Sequence, residues 1–468
     1  MTHYDLVIIG SGSGNSLVTP DFDDKRVAIV EEGIFGGTCL NVGCIPTKMF
    51  VYAAEVATTV RESDRYGVDS TLDDVRWRDI RDRIFGRIDP ISAAGKDYRV
   101  NGPSTTAYLG HGTFTGPREV SVDLPGGAET ITGTQVVIAT GSHAVVPGVI
   151  LRSGVPFRTS DTIMRIDRLP RRMAIVGAGF IASEFAHVFS SLGVEVTIVA
   201  RGDRMLRHLD DELSEAFTRL AVKQWDVRLD RHVVQATGDA AQVRLGLDDG
   251  TEVEADLLLV ATGREPSTAG LGLEAAGVAT TDDGRVRVDA HGRTTAEGVW
   301  ALGDASSEFQ LKHVANHEAR RVAYNLTHPD DLRPFDHRFV PSGVFSHPQI
   351  ATVGLTEQQA RDQGFAVTTK TQMYGDTAYG WAMEDTSSLC KVIADRRTGR
   401  LVGGHLVGPQ ASTLIQPLIQ MMAFDQPVAD MVRGQYWIHP ALTEVVENAL
   451  LGLDFNPPED HVESPPLA

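Results

Sequence analysis

Two cysteines lie five positions apart in the stretch GGTCLNVGCIPTK, residues 36–48, which we call the cysteine segment. Five residues of a regular helix advance about 7.5 Å, too far for a disulfide bond between Cys39 and Cys44 to close without distortion. Gly43 and Pro46 offer places for that distortion. A strained, accessible disulfide is easily reduced, and thiols at a helix start favour the thiolate. The spacing therefore favours redox chemistry.

A metal site and a pair of inert buried thiols are the alternatives for these cysteines. A zinc site needs further thiolate or imidazole ligands with their own spacing, and none is nearby in the sequence, so no metal is predicted. Only three cysteines occur in the chain, which is not the pattern of a secreted disulfide framework. The third, Cys390, lies in the apolar stretch SSLCKVIA and is expected to be a small core residue.

A first glycine turn follows the apolar run YDLVII at residues 4–9. Glu31 ends the next apolar run, 21 positions after the first glycine. This is the spacing of a Rossmann site, in which glycines admit a pyrophosphate and the acid accepts hydrogen bonds from ribose. Asn15 stands where a third glycine is usual, and an ordinary strand-to-helix turn is the alternative. The glycines of this turn are Gly10, Gly12 and Gly14.

A second glycine turn follows the apolar run MAIV at residues 173–176 and has the expected small third residue. Its members are Gly177, Gly179 and Ala182. Ala200 takes the place of the ribose-binding acid, and Arg201, Arg204 and Arg207 follow it. Guanidinium groups bind a 2′-phosphate, which an acid would repel, so NADPH is favoured over NADH, with a solvated basic loop as the alternative.

Both turns sit in a strand, turn, helix, strand pattern, which indicates a duplicated nucleotide-binding unit. The runs QVVIATGS and LLLVATGR are each expected to close one doubly wound sheet. The predicted fold class is α/β, with two Rossmann-like dinucleotide-binding domains and an α+β C-terminal dimerisation domain. The predicted ranges are 1–145 and 269–335 for the FAD-binding and central domain, 146–268 for the NADPH-binding domain, 336–455 for the dimerisation domain, and 456–468 for a disordered, proline-rich tail.

The composition excludes other classes of protein. Asp and Glu number 62 against 43 Lys and Arg, and a net charge of −19 without a basic stripe repels phosphate backbones. Nucleic acid is therefore not an expected partner. No apolar run approaches the roughly 20 residues that cross a membrane, and the N-terminus has no signal-peptide pattern, so we expect no membrane partner and a cytoplasmic location.

These residues resemble the two-cysteine flavoprotein disulfide reductases, the family of glutathione reductase and dihydrolipoamide dehydrogenase. The resemblance covers nearly the whole chain and includes GAGFIASE, ALGD, FSHPQIATVG and HPALTE. It implies an enzyme with FAD and NADPH as cofactors and a small-molecule disulfide as substrate. Within the family, KHVANHEAR, YGWAMEDTS and GQYWIHPALTEVVENALLGL look most like the mycothione reductases.

The resemblance also assigns roles around the cysteines. Cys39 would be the interchange thiol and Cys44 the charge-transfer thiol nearer the flavin. Lys48 and Glu184 match an ion pair beside the flavin, where a cation stabilises charge on the reduced ring; two unrelated surface charges are the alternative. Phe180 stands where several relatives carry a tyrosine lid. Further cofactor contacts implied are Thr38, Lys48, Thr140, Gly141, Asp304 and Ala315, of which Asp304 would contact the ribitol.

His439 matches the acid-base histidine of the family, oriented by a carboxylate at Glu444. An imidazole held by a carboxylate suits the proton transfers of disulfide exchange near neutral pH. Ala441 replaces a threonine common in relatives, which puts the local bonding in question. The resemblance implies an obligate homodimer in which His439 completes the site of the partner subunit.

The substrate is not fixed by these residues. Mycothione is the leading candidate, and reduction of glutathione disulfide or oxidation of dihydrolipoamide are the alternatives within the family. Arg201 and Arg207 argue against the dihydrolipoamide enzyme, which usually takes NAD. A flavin-bearing sensor or scaffold without turnover is the alternative outside enzymes, and the intact cysteine pair, histidine and second nucleotide turn argue against it.

Overall fold

The computed structural model describes residues 1–456, so the predicted tail, apart from Asn456, lies outside the described residues. The first nucleotide unit is built on a seven-stranded sheet. The strand Thr2–Ile9 pairs in parallel with Val27–Val30 on one side and Glu129–Ile138 on the other. The remaining strands are Thr105–Tyr108, His111–Gly116, Glu119–Asp123 and Val299–Ala301.

The second nucleotide unit is a four-stranded parallel sheet. Its strands, in spatial order, are Asp226–Arg228, Glu195–Val199, Arg172–Val176 and Leu257–Val260. A three-stranded antiparallel sheet and a two-stranded ribbon accompany it, formed by Val233–Gly238, Val243–Leu247 and Glu252–Ala255, and by Ser142–Ala144 and Arg264–Pro266. Leu257–Val260 ends its sheet as predicted. Glu129–Ile138 does not, because it is paired on both sides.

The C-terminal unit contains a five-stranded antiparallel sheet. Its strands, in spatial order, are Ser342–Val344, Ile350–Gly354, Arg400–Val407, Leu389–Asp395 and Val367–Met373. Cys390 is fully buried in this sheet, as predicted. In the described part of the chain, four helices follow Arg400–Val407, the last strand in sequence order: Ala411–Leu414, Gln416–Ala423, Val428–Gly434 and Thr443–Leu451. The three units together confirm the predicted α/β architecture.

The other helices lie on the sheets and between the units. They are Gly37–Asn41, Cys44–Arg61, Trp77–Val100, Gly148–Ser153, Ser160–Ile163, Phe180–Ser191, Asp211–Gln224, Lys312–Thr327, Glu357–Asp362 and Ala378–Ala382, with short 3-10 helices at Gly14–Leu17, Pro20–Phe22, Ser63–Tyr66, Gly303–Ala305 and Tyr374–Asp376. Within residues 1–456, none of the helices combines the length and apolar character that a membrane crossing requires.

An aromatic cluster joins the two nucleotide units. Phe50, on the helix Cys44–Arg61, stacks on Trp77 with ring centroids 5.0 Å apart. Trp77 in turn contacts Phe189, on the helix Phe180–Ser191, at 5.7 Å. Replacing a buried aromatic residue with alanine costs about 3–5 kcal/mol, so these contacts fix the two helices against each other. They thereby hold the cysteine segment against the second glycine turn.

The prediction of an α-helix directly after the first glycine turn is wrong. Only two 3-10 helices, Gly14–Leu17 and Pro20–Phe22, separate the turn from the next strand. Pro20 is the physical reason, because a proline forces the residue before it out of the helical region, and Thr19 is extended with φ −91° and ψ 172°. The helix predicted after the second turn is present as Phe180–Ser191.

Candidate active site

A cleft of about 550 Å³ runs along the first glycine turn, the cysteine segment and the start of the helix Phe180–Ser191. Its size is in the usual range for a ligand site. Twelve of the predicted site residues line it: Gly10, Gly12, Glu31, Thr38, Cys39, Cys44, Lys48, Thr140, Gly141, Glu184, Asp304 and Ala315. Gly14, Gly177, Gly179, Ala182, Arg201, Arg207, His439 and Glu444 lie outside the lining.

The first glycine turn leaves no room for a side chain at Gly10. Gly10 has φ +107°, and a Cβ added there would lie 2.3 Å from the carbonyl oxygen of Ala139. A Cβ on Gly37 would lie 2.6 Å from the Cα of Gly12, so the cysteine segment rests directly on the turn. Such a cradle of close backbone approaches fits the pyrophosphate of a dinucleotide.

Gly14 takes over the packing role expected of a glycine at position 15. A Cβ on Gly14 would lie 2.8 Å from the Cγ2 of Ile8, on the first strand. Asn15 is therefore not needed for this packing, and its Oδ1 accepts a hydrogen bond of 2.8 Å from the Nε of Arg99. The departure from the usual glycine pattern is therefore compensated one residue earlier.

Glu31 and Asp304 are both held in place by neighbouring hydroxyl groups. The Oε2 of Glu31 accepts hydrogen bonds from the backbone N–H and hydroxyl of Ser11, at 2.8 and 2.6 Å. The Oδ2 of Asp304 accepts one from the hydroxyl of Ser142 at 2.6 Å. A carboxylate has about four acceptor sites, so each retains capacity for the hydroxyls of a bound nucleotide. The cleft fits FAD on these counts.

The helical path between the two cysteines is interrupted. Cys39 lies in the helix Gly37–Asn41, and Cys44 begins the helix Cys44–Arg61. The break falls at Gly43, with φ −128° and ψ −123°, where an added Cβ would lie 2.9 Å from the carbonyl oxygen of Thr38. Pro46 causes no break, because it lies in the first helical turn, where its missing N–H has no partner to lose.

The two thiols are free in the structure and differ in acidity. A hydrogen bond from Cys39 to the sulfur of Cys44 and, as a smaller cause, the positive charge of Lys48 together lower the pKa of Cys44 to about 6, against the opposing effect of burial. The same hydrogen bond, followed by burial, raises the pKa of Cys39 above its usual range. The pair therefore holds its negative charge on Cys44, at the start of a long helix.

Lys48 and Glu184 form the ion pair that the resemblance implied. The Nζ of Lys48 lies 2.6 and 2.7 Å from the two carboxylate oxygens of Glu184, which is nearly fully buried. The backbone N–H of Phe345 donates to the same carboxylate at 2.9 Å, and Lys48 lies 4.6 Å from the centre of its ring. Parts of all three units thus meet beside Cys44.

The second glycine turn is constrained at its first glycine. Gly177 has φ +132°, and a Cβ added there would lie 2.1 Å from the carbonyl oxygen of Ala261. Gly179 caps the helix Phe180–Ser191, and Ala182 is fully buried in it. Phe180 lines the cleft and is 41% exposed, so its ring is available to a ligand there.

The three arginines after Ala200 differ in their partners. Arg204 forms an ion pair with Asp211 at 3.0 Å. In the described part of the chain, Arg201 and Arg207 have no ion-pair partner, and both are exposed. Two uncompensated guanidinium groups at the end of the second strand are suited to a phosphate.

His439 and Glu444 lie together at the surface, apart from the cleft. The Nδ1 of His439 is 2.7 Å from Oε1 of Glu444, and the histidine side chain is 72% exposed. The other oxygen, Oε2, accepts a hydrogen bond from the N–H of Ala441 at 3.1 Å, so the missing threonine does not leave the carboxylate loose. This hydrogen bonding lowers the pKa of Glu444, with His439 as its main cause.

Sequence reasoning missed three residues at this site. Lys312 and Arg264 line the cleft, and Phe345 contacts the ion pair. Arg264 donates hydrogen bonds to the hydroxyl of Ser142 from its Nε at 2.9 Å and to Asp161 from its Nη1 at 3.1 Å, which ties the two-stranded ribbon to the helix Ser160–Ile163. Lys312 is the first residue of the stretch KHVANHEAR and of the helix Lys312–Thr327. A lysine at the start of a helix, where the dipole disfavours a cation, is the feature of the sequence that could have pointed to this residue.

Family comparisons agree with this geometry. Residues 4–319 match the pyridine nucleotide-disulphide oxidoreductase model, and residues 340–450 match the dimerisation domain of the same family. The chain is 56% identical over 460 residues to the mycothione reductase of Mycobacterium tuberculosis, covering 97% of this chain and 100% of that protein. It is 34% identical to the dihydrolipoyl dehydrogenase of Mycobacterium leprae, covering 97% of this chain and 98% of that protein.

The solved structures that resemble the chain include the HOCl-induced flavoprotein disulfide reductase RclA of Escherichia coli. That structure has a TM-score of 0.83 at 28% identity, covering 96% of this chain and 100% of the other. The comparisons confirm the predicted family resemblance, α/β fold class, enzyme class and cofactor types, and the dimerisation domain supports a homodimer. The chain belongs to the pyridine nucleotide-disulphide oxidoreductases, a family of FAD-dependent enzymes that use NAD(P)H.

Proposed function

We propose that the protein uses NADPH to reduce mycothione, the symmetrical disulfide of a sugar thiol, to two molecules of mycothiol. The observation that carries the proposal is a reducible cysteine pair in a dinucleotide-sized cleft, in a chain 56% identical to a protein named mycothione reductase. The 34% and 32% identities to dihydrolipoyl dehydrogenase and glutathione reductase favour those substrates less.

Each turnover moves one electron pair. Glu31 and Asp304 would hold FAD along the cleft, and the bound cofactor would supply the redox chemistry that links NADPH to the Cys39–Cys44 disulfide. The partner subunit's His439 accepts the proton of Cys39, whose sulfur then attacks one sulfur of the substrate. The substrate disulfide breaks, and the first thiol leaves with that proton. The thiolate of Cys44 then attacks Cys39, which releases the second thiol and restores the protein disulfide. The acidity of Cys44 suits it to hold charge between these steps.

Lys48 provides the fixed positive charge for this chemistry. Its ammonium group is held by Glu184 and lines the same cleft as Cys44. A buried carboxylate cannot remain unpaired without a large desolvation cost, so the pair keeps Lys48 in one position. In that position the cation favours the thiolate of Cys44 and negative charge on a reduced flavin.

Arg201 and Arg207 are proposed to bind the 2′-phosphate of NADPH. Both are free of carboxylate partners within residues 1–456, in contrast to Arg204, which is paired with Asp211. Ala200 is buried and has no group that would bind the ribose of NADH. The charge balance of this loop therefore favours the phosphorylated cofactor.

The partner subunit's His439 is proposed to donate the proton to the leaving thiol. His439 does not line the cleft of its own chain and is exposed, with its Nδ1 occupied by Glu444. Its neighbours Tyr436 and Ile438 are also exposed, which is unusual for large apolar side chains unless another surface covers them. A twofold arrangement would cover them and bring Nε2 to the cysteines of the other chain.

Steady-state rates with NADPH against mycothione, glutathione disulfide and lipoamide test the substrate. We expect kcat/KM for mycothione to exceed the other two by at least about a hundredfold, the discrimination that a site gains from specific hydrogen bonds to its substrate. Equal rates with glutathione disulfide would contradict the proposal. A long-wavelength absorption band after rapid mixing with NADPH tests the thiolate, and a preparation without that band would not use this chemistry.

Mixed dimers test the contribution of the partner. A Cys39→Ser chain and a His439→Gln chain are each expected to be inactive as homodimers. Co-expressed with separate tags, they should form heterodimers with one complete site and about half the normal rate per dimer. An inactive heterodimer would contradict a histidine acting across the interface.

A further inference from the structure

The first glycine turn lacks the helix that normally follows such a turn. A regular helix places the equivalent of about half a positive charge at its N-terminus, and dinucleotide sites use it to hold the pyrophosphate. Here the turn is followed by four residues of 3-10 helix, Gly14–Leu17, too few to build up that dipole. A negatively charged pyrophosphate at this turn therefore needs positive charge from elsewhere in the chain.

Lys312 supplies such a charge on the cleft side of the turn. It lines the cleft, and its Nζ donates a hydrogen bond of 2.8 Å to the hydroxyl of Ser13, inside the turn. Among the described residues it has no carboxylate partner. It also occupies the first position of the helix Lys312–Thr327, where the dipole repels a cation. An unpaired cation in an unfavourable position indicates an anion as its missing partner.

Arg99 supplies a second charge behind the turn. Its side chain is buried, and its Nε and Nη2 donate to the Oδ1 and backbone oxygen of Asn15 at 2.8 and 3.2 Å. Within residues 1–456 no carboxylate pairs with it. The two hydrogen bonds to Asn15 and the ring of Tyr98, 5.1 Å from the guanidinium carbon, offset part of the cost of burying this charge, and a nearby anion would offset more.

We propose that Lys312 and Arg99 together replace the missing helix dipole and hold the pyrophosphate of FAD. Lys312 contacts the phosphate oxygens from within the cleft. Arg99 is a positioning residue: it fixes Asn15, and with it the backbone of the turn, and adds its positive field from behind. Both assignments concern how tightly the cofactor is held.

Release of FAD from the holoenzyme tests this proposal. Flavin fluorescence during heating, and after dilution at constant temperature, gives the release temperature and rate for each variant. We expect Lys312→Met and Arg99→Gln each to release FAD about tenfold or more faster than the unmodified protein, judged from hydrogen bonds to charged groups. Lys312→Arg and Arg99→Lys keep the charge and should stay within a few-fold. Lys96→Met, an exposed change on the same helix as Arg99, is the matched control and should change nothing.

Ionic strength separates a charge effect from a packing effect. Salt should accelerate FAD release from the unmodified protein and do so less in Lys312→Met and Arg99→Gln, because an electrostatic contact has been removed. If both neutral variants hold FAD as tightly as the unmodified protein, the proposal is wrong. It is also wrong if Arg99→Lys and Lys312→Arg release FAD as fast as the neutral variants. Should Arg99→Gln fail to fold, the Lys312 pair of variants still decides the outcome.

Discussion

The two glycine turns of this chain have the same backbone constraint but opposite surroundings. In both, a Cβ added to the first glycine would meet the carbonyl oxygen of the alanine that follows the neighbouring strand, at 2.3 Å for Gly10 and 2.1 Å for Gly177. The first turn lies under the cysteine segment and beside a lysine, with no α-helix behind it. The second has a twelve-residue helix behind it and two exposed arginines. The covered first turn suits a cofactor that stays bound, and the exposed second turn suits a cofactor that must leave in each catalytic cycle.

The largest expected effect separates the cofactor steps from the sulfur steps. Cys39→Ser should abolish disulfide reduction, because serine cannot attack a disulfide, while NADPH still bleaches the flavin. Rapid-mixing absorbance for flavin reduction and steady-state assays for disulfide reduction measure the two steps. Cys390→Ser, in the sheet of the C-terminal unit, is the control thiol and should retain turnover. Full turnover by the Cys39→Ser protein would refute its assigned role.

Matched glycine substitutions test the two turns directly. Gly10→Ala should yield colourless protein, because its Cβ would meet the carbonyl of Ala139 and displace the turn. Gly177→Ala should remain yellow but lose most of its affinity for NADPH. Gly250→Ala has a similarly strained φ of +82° with open space around it, so it controls for backbone strain alone. FAD content and the KM for NADPH are the measurements, and equal FAD loss in Gly10→Ala and Gly177→Ala would contradict the division of roles.

Replacing Arg201 and Arg207, the two arginines without an ion-pair partner among the described residues, should have an intermediate effect on the choice between NADPH and NADH. In Arg201→Ala combined with Arg207→Ala, the preference for NADPH over NADH should fall by about 10- to 100-fold per lost charged contact, mostly through KM. Arg219→Ala, on the exposed face of the helix Asp211–Gln224, is the control. If the ratio of kcat/KM values for the two cofactors does not move, the 2′-phosphate binds elsewhere.

The smallest effect is a shift in a pH titration. In the reduced enzyme, the pKa of Cys44 of about 6 predicts that its thiolate band persists above that pH and fades as the pH falls through it. Lys48→Met should move the midpoint upward, because the lysine charge lowers this pKa. Absorbance at the long-wavelength band measures it, with Lys25→Met as a surface control. A midpoint unchanged by Lys48→Met would show that the lysine does not act on the sulfur.

Residue types and spacing predicted features that depend on neighbouring residues, and the family resemblance added the distant pair of Lys48 and Glu184, 136 positions apart. Other distant contacts were missed. The glycine turns and the cysteine pair each lie within a few positions, where spacing and residue type suffice, whereas the His439–Glu444 contact came from the family resemblance. The contact between Arg99 and Asn15 spans 84 positions, and that between Lys312 and Ser13 spans 299. Such contacts follow from the packing of whole units. The helix missing after the first turn has a local cause, because Pro20 places Thr19 in the extended region.

The joint between Lys48, Glu184 and Phe345 has a consequence for assembly. One carboxylate receives a hydrogen bond from the C-terminal unit and also anchors the cation beside the sulfur. If separating the two chains of a dimer displaced that unit, Glu184 would lose the hydrogen bond from Phe345 and would hold Lys48 less firmly. A monomer should then show altered thiol reactivity even toward small alkylating reagents that need no histidine, so subunit dissociation would be detectable in the chemistry of a single sulfur atom.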